Sequence, residues 1–166
     1  MLSYLLLVAG VAVLTGTVFY YLHIKQAKNN AFENSVPREI AGLPLTQLIT
    51  GQDAIESIQQ LHGKEFPLVD GAVAIYGDRS VILWVSDAGS ISAAADLAEL
   101  MKIRIAEGRS PFEELGSFGL DNFFIYELEG MGQAHYYWQS GNLVLWLAAD
   151  GGLAENALKE TAEYYR

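Results

Sequence analysis

The sequence predicts an α+β fold: an N-terminal transmembrane helix followed by a mainly antiparallel sheet of about five strands with three packed helices. Three observations lead to this prediction. The first 22 residues carry no charged side chain, several later segments place apolar residues at helical spacing, and short aliphatic and aromatic runs alternate with tight-turn residues. Because hairpins join most of these runs, neighbouring strands should pair antiparallel, and the helices should lie on the sheet.

The apolar N-terminal segment has the length of a membrane span. At 1.5 Å per residue, ~21 helical residues cover ~31 Å, close to the hydrocarbon thickness of a bilayer. Tyr4 near one end and Tyr20 and Tyr21 near the other fit interfacial aromatic belts. The segment lacks the basic start of a cleaved signal peptide and the early acid of a pilin-like helix. We therefore interpret residues 1–24 as a transmembrane helix that contacts the lipid bilayer.

The charges next to this segment favour one orientation in the cell membrane. No Lys or Arg precedes it, whereas Lys25 and Lys28 follow it. The positive-inside rule then places the rest of the chain on the cytoplasmic face, and an extracytoplasmic domain is the alternative because two lysines are a small bias. Residues 25–40 are predicted to be a polar tether, and residues 41–166 a single α+β globular domain.

The first half of the domain is predicted to contain a hairpin between two helices. Thr50-Gly-Gln-Asp53 matches a capping box, and Gly63 stands where the first helix should end. Gly77-Asp78 is typical of a hairpin turn, and Gly108 ends the second helix. The predicted elements are a helix over 52–62, strands over 66–76 and 81–85, and a helix over 91–107.

The second half is predicted to be a meander that ends in a helix. Residues 109–119 are rich in Gly and Pro and are predicted to form a loop. Gly130-Met-Gly132 and Ser140-Gly-Asn142 supply the two turns of the meander, because Gly and Asn tolerate positive φ. The predicted elements are strands over 123–129, 136–138 and 143–147, and a helix over 153–165.

Two of the strands resemble each other at an offset of 62 residues. Segment 79–85 aligns with segment 141–147, which matches Trp84 with Trp146. Because a helix follows each strand, an internal duplication is possible. The alternative is two similar hairpins, since Leu, Val and Trp are ordinary strand residues.

The strands carry continuous apolar runs, which indicate that both faces of the sheet are covered. If the three helices divide between the faces, the domain is self-sufficient. If they share one face, the other presents aromatic side chains to a second copy, a partner subunit or the membrane surface. The candidate interaction surface consists of Trp84, Tyr126, Tyr136, Trp138 and Trp146.

Charge and composition exclude several classes of function. The net charge is −10, and all 20 acidic residues lie at Glu33 or beyond. Nucleic acid is therefore disfavoured as a partner, because phosphates would be repelled. The chain has no cysteine, which excludes disulfides, thiol catalysis, zinc–thiolate sites and iron–sulfur clusters.

No catalytic or cofactor-binding motif is present. The chain has neither a G-x-S-x-G nucleophile elbow nor a phosphate-binding P-loop, and Gly130-Met-Gly132 lacks the third glycine of a dinucleotide fingerprint. The three histidines share no metal-ligand spacing. We therefore predict no enzyme, no cofactor and no metal site. His135, with Gln133, is the one candidate for a polar site.

These observations favour a single-span membrane protein whose soluble domain mediates protein–protein interaction, as an accessory or assembly subunit of a membrane complex. Its expected partners are other membrane protein subunits or a second copy. The alternative is a membrane-anchored ligand-binding or sensing domain, with an aromatic-lined pocket into which His135 and Gln133 converge. A tethered hydrolase without a recognisable motif is a third hypothesis.

Overall fold

The computed structural model describes residues 35–62, 67–108 and 110–166, together with Thr17 and Tyr20. The predicted transmembrane helix over residues 1–24, apart from those two residues, lies outside the described part. Residues 25–34 of the predicted tether also lie outside the described part. No helix within the described residues combines the length and the apolar character needed to cross a bilayer.

The described residues form one antiparallel sheet of eight strands, so the predicted count of about five strands is wrong. The strands are β1 (Glu39–Ile40), β2 (Leu43–Thr50), β3 (Asp70–Tyr76), β4 (Val81–Asp87), β5 (Glu113–Leu120), β6 (Phe123–Gly130), β7 (Gln133–Ser140) and β8 (Leu143–Ala149). Their order across the sheet is β1-β2-β3-β4-β8-β7-β6-β5.

The strands missing from the prediction lie towards the two edges of the sheet. Strand β5 falls in the segment predicted to be a loop, and it pairs only with β6. It contains Gly116 and Gly119, and a bulge at Leu115 interrupts its register. Because most of its side chains are exposed, it lacks the apolar run that marks a buried strand.

Three helices cover the two faces of this sheet: α1 (Gln52–His62), α2 (Ile91–Ala106) and α3 (Ala154–Tyr164). Helix α1 packs against one end of a face and α2 against the other end of the same face. Helix α3 packs against the opposite face, over the largest core cluster. The helices therefore divide between the faces, two against one.

The two strands that share the 62-residue offset are neighbours at the centre of the sheet. Strands β4 and β8 pair antiparallel over their full length, with Trp84 directly opposite Trp146. The likeness stops at the strands, because α2 follows β4 onto one face whereas α3 follows β8 onto the other. In addition, α1 joins β2 to β3, whereas two residues join β6 to β7.

The folded part of the chain includes the end of the predicted tether. Val36 and Ile40 are buried in the core under α3. The Tyr165 hydroxyl donates to the Ser35 carbonyl at 2.7 Å, and the Tyr76 hydroxyl donates to the Pro37 carbonyl at 2.8 Å. At ~3.5 Å per extended residue, residues 25–34 can therefore separate the folded part from residue 24 by at most ~35 Å.

Candidate ligand-binding site

A row of aromatic side chains crosses the face of the sheet that α1 and α2 cover. Tyr126 on β6 is opposite Tyr137 on β7, which is opposite Trp146 on β8, which is opposite Trp84 on β4. Residues directly opposite each other in a sheet project to the same face. Four neighbouring strands thus each contribute one ring to a single row.

The rings at one end of this row stack closely. Tyr126 and Tyr137 have centroids 4.5 Å apart and nearly parallel planes, at 8°. Tyr137 and Trp146 follow at 5.6 Å and 12°. Helix α2 covers this part of the row, so the stack forms the floor of that half of the core.

A cavity of about 270 Å³ lies over the other end of the row, between α1 and α2. Trp84 and Trp146 lie at its floor, Ile58 of α1 lines one side, and Met101 of α2 lines the other. The lining is mostly apolar. The cavity exists because each helix packs on its own half of the sheet and neither covers the central strand pair completely.

Phe112 closes the cavity from the segment that leads into β5. Its ring centroid is 4.9 Å from that of Trp146 and 4.6 Å from that of His135. Gly130 makes this position possible, because a Cβ there would lie 2.5 Å from Phe112 Cδ1 and 2.9 Å from the carbonyl oxygen of Pro111. The glycine is therefore required by close packing.

His135 fixes the orientation of Trp146. The Trp146 indole N–H donates to His135 Nδ1 at 3.0 Å, and since an indole nitrogen can only donate, the proton of the neutral imidazole lies on Nε2. That Nε2–H donates to the carbonyl of Gly130 at 3.0 Å. Burial lowers the pKa of His135, only partly offset by the bond to Gly130. The ring is therefore neutral at pH 7.

Gln133 links two turns at one end of the cavity. Its Nε2 donates to the backbone carbonyl of Arg79 at 3.2 Å and to Asp150 Oδ1 at 3.0 Å. This bond, together with one from Ser80, lowers the pKa of the Asp150 carboxyl. The amide therefore holds the β3–β4 turn, which carries Arg79, against the end of β8.

The structure distributes the candidate interaction residues over both faces of the sheet. Trp84 and Trp146 line the cavity, and Tyr126 lies at the far end of the aromatic row. Tyr136 and Trp138 are buried on the opposite face, under α3. The candidate polar residues His135 and Gln133 both line the cavity.

Met131 is a cavity residue that the sequence pattern did not single out. It is 80% exposed and has a φ of 53°, in the left-handed region that a side chain of this size rarely occupies. Gly132 follows with a φ of 82°, so the pair forms the type of two-residue turn that favours Asn-Gly. The sequence does mark this position, because Met131 stands in a turn where Gly, Asn or Asp is expected.

Comparisons with known proteins establish no family for this chain. No protein-family model matches it, and no curated protein matches it. Among solved structures, it is similar to a GTP-binding regulator from Thermotoga maritima, with 16% identity, 82% of this chain and 86% of that chain covered, and a TM-score of 0.49. A likeness at this level does not establish a shared fold.

Within the described residues, no group of three His, Asp or Glu could hold a metal ion.

Replacing Met131 with Asn should stabilise the fold. Asn adopts positive φ more easily than Met, and little packing is lost because Met131 is exposed. We expect Met131→Asn to raise the free energy of unfolding by about 0.5–1 kcal/mol in urea titrations. Met131→Leu keeps the unfavourable conformation and should give no gain; equal stability of the two variants would contradict this explanation.

The stability of the domain should fall as the pH falls below about 6.5. The pKa of His135 is lower in the folded protein than its ordinary value of 6.5. The unfolded chain therefore binds a proton first, so stability is complete above 6.5 and is lost as the pH falls towards the folded pKa. One proton allows a slope of at most about 1.4 kcal/mol per pH unit.

Urea titrations between pH 7.5 and 5.5 measure this dependence above the range in which carboxylates protonate. His135→Gln should flatten it because the amide does not titrate. His62→Gln, at the last residue of α1, leaves His135 in place and serves as the control. An unchanged slope in His135→Gln would show that another group causes the dependence.

Proposed function

We propose that this domain binds a small, planar, aromatic ligand in the cavity between α1 and α2. The observation that carries the proposal is the cavity of about 270 Å³ whose floor includes Trp84 and Trp146. Ligand pockets typically occupy ~300–1,000 Å³ and combine apolar walls with a few convergent polar groups. The cavity lies just below this range, so it suits a small ligand of one or two fused rings.

The fixed geometry of the floor supports binding. Trp146 is held by the bond to His135 on one edge and by stacking on Tyr137. Phe112 packs against both Trp146 and His135. A ligand would therefore meet rings that already have a fixed orientation, which reduces the entropy lost on binding.

Met131 adds a second argument for binding. The two-residue turn requires positive φ here, as the turns at Ala41 and Asp121 do, and a methionine is an unfavourable residue for that conformation. This unfavourable residue places an exposed, flexible and polarisable thioether at the cavity. Methionine adapts its shape to apolar ligands, so this position suits contact with a ligand.

In this proposal the domain works at a membrane surface. The support for that part is the apolar segment over residues 1–22, which predicts a single span of the cell membrane. Lys25 and Lys28 favour a cytoplasmic domain, and the alternative is an extracytoplasmic one. The segment over 25–34 would then keep the ligand site within a few nanometres of the bilayer.

A second candidate function is docking on another protein, as an accessory subunit of a membrane complex. It is favoured by exposed apolar side chains on the edge hairpin formed by β5 and β6: Leu115, Phe118 and Phe124. The register places Phe118 and Phe124 on opposite faces, so a partner would clasp this edge from both sides, and exposed apolar side chains grouped at an edge favour interaction sites. Other membrane protein subunits or a second copy could cover this edge.

Filling the cavity should abolish ligand binding without unfolding the domain. Leu97 of α2 lines the cavity, and Leu100 lies one turn further along α2 and does not. We expect Leu97→Trp to weaken binding of 2-naphthol at least tenfold, because the new indole occupies the ligand volume. Calorimetry with the full chain in lipid nanodiscs measures this, with empty nanodiscs to correct for partition into lipid.

Leu100→Trp is the matched control and should bind 2-naphthol as the unaltered chain does. Equal affinities of the two variants would show that the probe binds elsewhere. No binding by the unaltered, folded chain would contradict the proposed function.

The docking hypothesis predicts that other membrane proteins copurify with the chain after gentle detergent extraction. Substituting two residues of the edge hairpin, Leu115→Ser with Phe124→Ser, should release them, because the apolar contact is lost. Ile91→Ser changes an exposed apolar residue at the start of α2 and should retain them. A chain that remains alone even after crosslinking would contradict docking.

A further inference from the structure

The polar side chains that line the cavity divide into those with hydrogen-bond partners and those without. The Trp146 indole N–H, both ring nitrogens of His135 and the amide nitrogen of Gln133 already make bonds within the protein. These groups hold the cavity wall in place. A ligand could bond to them only by breaking an existing hydrogen bond, which costs free energy. The remaining groups decide which ligand the cavity fits.

Two hydrogen-bond donors in the lining lack a partner among the described residues. Ser86 is only 7% exposed, and its hydroxyl makes no hydrogen bond within that part of the chain. The indole N–H of Trp84, a half-buried residue that also lines the cavity, likewise makes no hydrogen bond within that part of the chain. Neither donor atom is fully enclosed, because the buried side-chain polar atom without a partner in the described part of the chain is the indole nitrogen of Trp138 on the opposite face, so both donors are accessible to a ligand in the cavity. Against these two donors, the side chain of Gln133 offers one acceptor, its carbonyl oxygen.

The lining contains a single charged side chain within the described residues, and it is a cation. Arg79 lies in the turn between β3 and β4, with a φ of 64°, and it is exposed. It makes no ion pair with any described residue. The net charge of the chain is −10, so a positive side chain beside an apolar cavity stands out from the mostly acidic charges of this protein.

Two carboxylates near Arg79 act against a bound anion. Asp78 precedes it in the same turn and is exposed, so solvent screens its charge. Asp150 bonds to Gln133, which is itself bonded to the Arg79 carbonyl. Asp150 and Arg79 are exposed as well, so the electrostatic preference at the cavity is a solvent-screened balance between Arg79 and the two carboxylates, and each charge can be altered separately.

We propose that the ligand is a small aromatic carboxylic acid, bound as its anion, and this inference rests on the proposed function. Its rings lie on Trp84 and Trp146, and its carboxylate accepts hydrogen bonds from the Arg79 guanidinium. Ser86 and Trp84 donate to a further oxygen of the ligand where it has one. Guanidinium–carboxylate pairs are frequently bidentate, which would orient the rings. The cavity volume accommodates a ring system and excludes a long acyl chain.

The test compares 2-naphthoate with 2-naphthamide, its neutral analogue of the same shape, on the full chain in lipid nanodiscs. We expect the unaltered chain to bind the anion about fivefold more tightly than the amide, a factor that allows for solvent around Arg79. Arg79→Gln should remove this preference by weakening only naphthoate. Arg79→Lys should keep part of it, because the charge remains but the bidentate geometry is lost.

A second variant tests the effect of removing a negative charge near Arg79. Asp150→Asn removes the nearby negative charge and keeps a side chain that can bond to Gln133, so naphthoate should bind about twofold more tightly and naphthamide should not change. Equal affinities for the two probes, or an anion preference that survives Arg79→Gln, would overturn this inference and leave the proposed function in place. Failure of both probes to bind the folded, unaltered chain would overturn both.

Discussion

The pairing of β4 with β8 is the constraint on which the rest of the structure depends. It joins two meanders that are otherwise separate, β1–β4 and β5–β8, into one sheet. It also places Trp84 opposite Trp146, so the ring row that begins on β6 continues into the first half of the chain. A shift of this pairing by one residue would send one of the two indoles to the opposite face.

The cavity results from unequal connections in the two halves. The first half has an extra helix, α1, between β2 and β3, and this helix covers one end of the face that α2 covers at the other. The second half has no such insertion, and its single helix α3 covers the opposite face. The face with two helices is therefore covered at its ends and left open over the central pair.

The sequence predicted the helices and the central hairpins well because their patterns are strong. Helix 52–62 was predicted to the residue because its amphipathic spacing is strong, although Thr50, the predicted N-cap of the capping box, is the last residue of β2 and pairs with Ala72. The edge strand β5 was missed because exposed strands with glycines lack an apolar signal. Tyr136 and Trp138 were grouped with Trp84, yet they lie under α3, because only the register across each hairpin decides which face a ring occupies.

The attachment of residues 35–40 has a mechanical consequence. Hydroxyls of Tyr76 and Tyr165 hold this segment on the face under α3, and buried Val36 and Ile40 reinforce it. A pull on the preceding chain would load α3 and the short β1–β2 hairpin first, in shear. Trp84 and Trp146 lie on the opposite face of the sheet, so such a pull would leave the cavity undistorted until the layer under α3 yields.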